Sequence, residues 1–182
     1  MIHLYVGDGK GKTSAAIGLA VRAAGAGLKV AIVFFDKGDD GGDLSQQRYS
    51  EREILRQIPN VDIFSTGLPR FSPGRPFRLQ MTNEDIKEAQ RGYDLATDII
   101  KSKSHSVVIL DEILGLVKPG VFDEKQIISL FELARKPPET ELILTGRSDS
   151  PSLVQQADLV TEMRKTKHYF DSGTPARKGI EY

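Results

Sequence analysis

Gly7-Asp8-Gly9-Lys10-Gly11-Lys12-Thr13 stands directly behind the apolar run Ile2-His3-Leu4-Tyr5-Val6 and ahead of an alanine-rich stretch that runs to Gly25 and Gly27. A strand, a glycine loop ending in Gly-Lys-Thr and a helix, in that order, form a phosphate loop. Glycines let backbone N–H groups curl round an anion without a Cβ in the way, and the helix start adds unpaired N–H groups and the positive end of its dipole. In this pattern Lys12 neutralises phosphate and the Thr13 hydroxyl ligates Mg²⁺. Val6 stands where the usual first glycine would be, so the loop is shortened at its start. Lys12 is expected to face solvent while the loop is empty.

Outward from the loop, β-branched runs recur at Lys29 to Phe35, Val61 to Ser65, Ser106 to Leu110, Glu141 to Thr145 and Leu159 to Thr161, with helical periodicity between most of them. Alternation of this kind predicts an α/β fold, a mainly parallel sheet with helices on both faces, here of the P-loop NTPase (RecA-like) type. Thr82 to Asp85 reads as a capping box, Asp123 as a cap for Glu124-Lys125-Gln126, and Ser150-Pro151 as a helix start. The fourth strand delivers Asp111 and Glu112 at its carboxyl end, where open α/β sheets bind ligands. One of these acids can hold Mg²⁺ or Mn²⁺ and the other can orient a water or a ribose hydroxyl.

The whole chain, 182 residues, is the size of one domain (1–182) with an ordinary core. It has no cysteine, which excludes disulfides, thiolate metal sites and cysteine nucleophiles. Lys plus Arg and Asp plus Glu both number 25, a balance that argues against a nucleic-acid scaffold or a membrane-surface binder. The longest apolar run, Val30 to Phe35, is far short of a bilayer span, and the first residues do not form a secretion signal, so a cytoplasmic protein is expected. Thr66 to Met81 carries three prolines, three arginines and the aromatic pair Phe71 and Phe77. A loop of that length and composition is expected to be functional.

Thr145-Gly146-Arg147, Ala157 to Arg164, Lys167-His168-Tyr169-Phe170-Asp171-Ser172-Gly173 and Ala176 to Tyr182 narrow the field. With Gly7 to Thr13, Arg22, Lys37-Gly38 and Asp111-Glu112-Ile113, the chain resembles the P-loop type of ATP:corrinoid adenosyltransferase over nearly its whole length. That family uses the same shortened loop. The resemblance implies transfer of the 5′-deoxyadenosyl group of ATP to Co(I) of a reduced corrinoid with release of triphosphate. It further implies a flavoprotein reductant, a homodimer, and a nucleotide lying along the loop in the reverse of the usual direction. Gly7, Asp8, Gly9, Lys10, Gly11, Lys12, Thr13 and Ser14 would bind the triphosphate, and Thr13 with Asp111 or Glu112 the metal. The catalytic burden would fall on Lys12 and Glu112. Arg22 matches an arginine the family uses on nucleotide phosphates, in one version across the dimer, yet it equally suits a solvated helix position. His168 and Asp171 match the family tail and would line the corrinoid side with Phe71 and Phe77, although a histidine there equally suits a cap. His3 and His105 have no match and read as structural.

Two departures qualify the resemblance. Family members carry a segment ahead of the first strand, so a lid over the nucleotide is expected to be missing or supplied otherwise. They also present a Phe and a Trp after the Thr-Gly of the long loop, where this chain has Leu68 and Arg70 and no Trp at all. Phe71 or Phe77 would have to displace the lower cobalt ligand. A P-loop hydrolase or kinase, or a non-catalytic nucleotide-binding module, remains the competing reading.

Overall fold

In a computed structural model, residues 1–35, 38, 49–68 and 81–181 are described. The β-branched runs form β1 (Ile2–Val6), β2 (Val30–Phe34), β3 (Val61–Ser65), β4 (Val107–Asp111), β5 (Glu141–Thr145) and β6 (Leu159–Glu162). All pair in parallel in the order β3-β2-β4-β5-β1-β6. The α/β sheet predicted from the alternation is therefore present, and it is parallel throughout the described residues. The phosphate-loop strand β1 and the acid-bearing strand β4 flank β5, so their carboxyl ends open on one rim.

Helices α1 (Lys12–Gly25), α2 (Glu51–Leu55), α3 (Asn83–Ser102), α4 (Glu124–Arg135) and α5 (Pro151–Gln156) cover both faces. Alternate strand residues divide the core. Val30, Ile32, Ile109 and Ile143 meet α1 and Leu55 of α2 on one face, while Val33, Leu110, Leu142 and Leu144 meet α3, α4 and α5 on the other. On α1 the buried stripe is Ala16, Ala20, Ala23 and Ala24, small side chains that let the helix lie close on the sheet. The expected starts hold: Thr82 with Asp85 and Asp123 with Gln126 are reciprocal capping boxes, and Ser150 caps α5 with a proline behind it. None of the described helices is long and apolar enough to cross a membrane.

Candidate functional site

The phosphate loop leaves β1 at Gly7 and enters α1 at Lys12, which places the loop amides and the helix start on the rim. Gly7 and Gly9 are glycines for a reason beyond anion binding. The Met163 backbone crosses directly over them, with the Gly9 amide donating to the Met163 carbonyl at 2.7 Å. A Cβ on Gly9 would sit 2.7 Å from that oxygen, and one on Gly7 would overlap it.

Lys12 does not face solvent as expected: it is 8% exposed. Its ammonium turns back into the loop and donates to the carbonyls of Gly7 (2.9 Å) and Gly9 (2.8 Å). The loop carbonyls need donors, and the lysine supplies one. Burial pulls its pKa below the ordinary lysine value, opposed by the Glu112 charge and assisted by that of Arg147.

Across the rim, the buried Asp111 accepts a hydrogen bond from the Thr145 hydroxyl at 2.7 Å. The same hydroxyl accepts from the Glu112 amide at 2.8 Å, so one side chain of β5 holds both acids. Glu112 has φ of 65°, a left-handed conformation that costs a non-glycine residue energy. Beyond it the chain turns into a short 3₁₀ segment, Ile113–Leu116. A cavity of about 660 Å³ lies between these parts, walled by Lys10, Lys12, Thr13, Ser14, Glu112 and Glu181 among others.

The last of these comes from the far end of the chain. Lys10 Nζ donates to the Tyr169 hydroxyl (2.9 Å), the Ile180 carbonyl (2.7 Å) and Glu181 Oε1 (2.8 Å). Arg177 and the Tyr169 hydroxyl also bond Glu181, and this ring of donors holds its carboxyl well below the usual range. Asp8 accepts from the Lys165 amide at 3.0 Å, which is the main reason its pKa is lowered.

Taken together, the rim offers amides, two lysines and a helix start on one side and a carboxylate on the other. That set can bind a polyanion and a hard cation. The profile of the family described as ATP:corrinoid adenosyltransferase BtuR/CobO/CobP matches residues 1–182. The chain belongs to this family. Corrinoid adenosyltransferases from Pseudomonas aeruginosa PAO1 and Escherichia coli K12 are 29% and 31% identical to it over 182 residues, and all of this chain aligns to 83% and 85% of theirs. That of a Sinorhizobium species is 31% identical over 183 residues, covering all of this chain and 80% of its own length.

Not every residue matched to the adenosyltransferases is brought to the cavity. Lys10, Gly11, Lys12, Thr13, Ser14 and Glu112 line it, while Gly7 and Asp8 line a second cavity on the other side of the loop. Asp111 lies buried beneath, with Thr145 on its carboxylate. Arg22 is exposed on α1, about 15 Å along the helix from Lys12 at 1.5 Å per residue, and is not part of the cavity wall. His168 accepts the Phe170 amide at 3.1 Å and caps the 3₁₀ turn Tyr169–Ser172; Asp171 pairs with Lys165 at 3.1 Å. Both serve the fold of the tail. Phe71, Phe77 and Lys37 lie outside the described residues. His3 and His105 pair with Glu141 and Asp62, as structural histidines do. Sequence reasoning gave no role to Thr145, Tyr169 or Glu181. The only signal was their position, one closing a strand beside the acids and two in the terminal motif.

Proposed function

We propose that this chain transfers the 5′-deoxyadenosyl group of ATP to Co(I) of a reduced corrinoid and releases triphosphate. The observation that carries the reading is a phosphate loop with its lysine already inside it, facing Glu112 across one cavity, in a chain that belongs to the adenosyltransferases along its whole length. The Co(I) electron pair attacks C5′, the C5′–O bond breaks, its electrons leave with triphosphate, and cobalt becomes alkyl-Co(III). Cobalt is itself the nucleophile, so no side chain has to attack and none has to strip a proton from an attacker.

The protein's work is therefore to hold C5′ in line and to stabilise a polyanion as it leaves. Loop amides, Lys10 and Lys12 suit that work. Lys12 would exchange two neutral carbonyls for phosphate oxygens, a gain because both partners are then charged and the ammonium is already out of water. Thr13 and Glu112, a hydroxyl and a carboxylate in one wall, fit a hard divalent ion and would hold Mg²⁺ or Mn²⁺. No group of three or more acidic or histidine side chains suited to a metal occurs among the described residues, so phosphate oxygens would complete the shell. Such an ion supplies neutralisation of polyphosphate charge.

Product analysis tests the reading. ATP with chemically reduced corrinoid should give the cobalt–carbon absorption change and one triphosphate per alkylated cobalt. ADP with orthophosphate and no alkylation would instead make the protein a hydrolase.

A further inference from the structure

On the Gly7–Asp8 side of the phosphate loop lies a second cavity of about 480 Å³. Lys118, Arg147, Arg164 and Lys165 line it together with Asp8, Asp149 and Glu162. Most of these charges are already engaged. Arg164 is bonded twice to Glu162 (2.8 and 2.7 Å), Lys165 reaches Asp171 (3.1 Å), and Asp8 holds the Lys165 amide (3.0 Å). Lys118 and Arg147 are exposed, and no hydrogen bond or ion pair engages either of them among the described residues. Asp149 is the remaining acid in the wall.

Arg147 is aimed by the fold. It stands two residues past the end of β5, and β5 is fixed to the acid pair through Thr145. Gly146 turns the chain with φ of 141° and lies so close to the 3₁₀ segment that a Cβ would sit 2.6 Å from the Gly115 nitrogen. Arg147 shares the cavity wall with Gly7 and Asp8, so it stands beside the start of the loop. Lys118 comes from the turn beyond that same 3₁₀ segment.

Resting on the adenosyl-transfer reading, we propose that Arg147 and Lys118 form a second phosphate subsite beside the loop. It takes a phosphate oxyanion that extends past Gly7 and Asp8. A planar guanidinium meets such a group with two parallel bonds and an ammonium adds a point charge, which is the usual division of labour between the two side chains. Two substrates carry this chemistry: the far end of the triphosphate, and the phosphodiester that joins a complete corrinoid to its lower nucleotide.

Direct binding separates these sources and needs no turnover. Dissociation constants would be measured for inorganic triphosphate, Co(II) cobalamin and Co(II) cobinamide, which lacks the phosphodiester. Wild type, R147Q, K118Q, the double variant and R147K would be compared, with melting curves as the check on folding. If the subsite holds triphosphate, the double variant weakens triphosphate about tenfold or more, as expected for lost charge-assisted bonds, and R147K recovers part of the loss. If it holds the corrinoid, cobalamin weakens by that factor while cobinamide stays unchanged. Changes under about twofold for all probes, an equal loss on cobalamin and cobinamide with triphosphate unchanged, or no measurable binding of any probe to the wild type would overturn the subsite. Turnover by the wild type judges the adenosyl-transfer reading separately, because the subsite is scored on variant-to-wild-type ratios.

Discussion

At Lys12 a charge is held out of water, and two loop carbonyls compensate it. K12A should therefore weaken inorganic triphosphate about a hundredfold, the worth of one to two charge-assisted bonds. It should leave stability within about 1 kcal/mol, because lost carbonyl bonds are offset by the relief of a buried ammonium. Calorimetric titration and a melting curve check both, and affinity near that of the wild type would contradict the role. Glu112 makes the opposite trade, keeping a left-handed backbone at φ of 65° where glycine would be comfortable. E112G should raise stability by about 1 kcal/mol while abolishing turnover, as expected where strain is stored at a working residue. A variant that is both less stable and fully active would refute this. Gly-Lys-Thr and Asp-Glu were legible in the sequence because each is a local spacing attached to a strand end. The burial of Lys12 was not, since it depends on how the folded loop satisfies its own carbonyls. Nor was the grip of Thr145 on Asp111, which joins residues 34 positions apart.

Among the elements, α1 sets where the loop sits, because its alanine stripe fixes its height above the sheet. Ala20 is fully buried against that surface. A20L should lift the helix and cost about 1–3 kcal/mol by overpacking, read as a lower denaturant midpoint with the slope unchanged. No change in midpoint would mean that the contact is looser than its burial implies. Strands and caps were legible because burial on both faces selects unbroken β-branched runs and because caps are four-residue signals. The tail from Met163 to Glu181 was not. Its contacts with the loop are polar, carry no periodicity, and span more than 150 positions in sequence. Its carboxylates make a pH prediction. The folded values of Asp8 and Glu181 are lowered, by the Lys165 amide and by the Arg177, Lys10 and Tyr169 donors respectively. Their contribution to docking the tail is complete above the ordinary carboxylate range and is lost as pH falls through the lowered values. Amide protection across residues 163–181, taken relative to the intrinsic exchange rate at each pH, should hold down to about pH 4 and fall below it, ahead of global unfolding. Protection that persists until the whole protein unfolds would contradict this.

For the molecule as a whole, a parallel sheet gathers the strand ends on one rim, and the chain's far end returns to close that rim. β6 pairs beside β1, the Met163 backbone lies on the loop, and Glu181 holds Lys10. In the proposed reaction this arrangement would put cations around the leaving polyanion and leave the attack to the second substrate. The central claim is therefore about which bond breaks, carbon to oxygen at C5′ and not phosphorus to oxygen. ATP carrying ¹⁸O at the oxygen that bridges C5′ and the α-phosphorus, turned over with chemically reduced corrinoid, reads that bond directly by mass spectrometry of the products. The account predicts that all the label leaves in triphosphate while the nucleoside, now bonded to cobalt, has none. Label retained on the nucleoside product, with the phosphates released unlabelled, would contradict it.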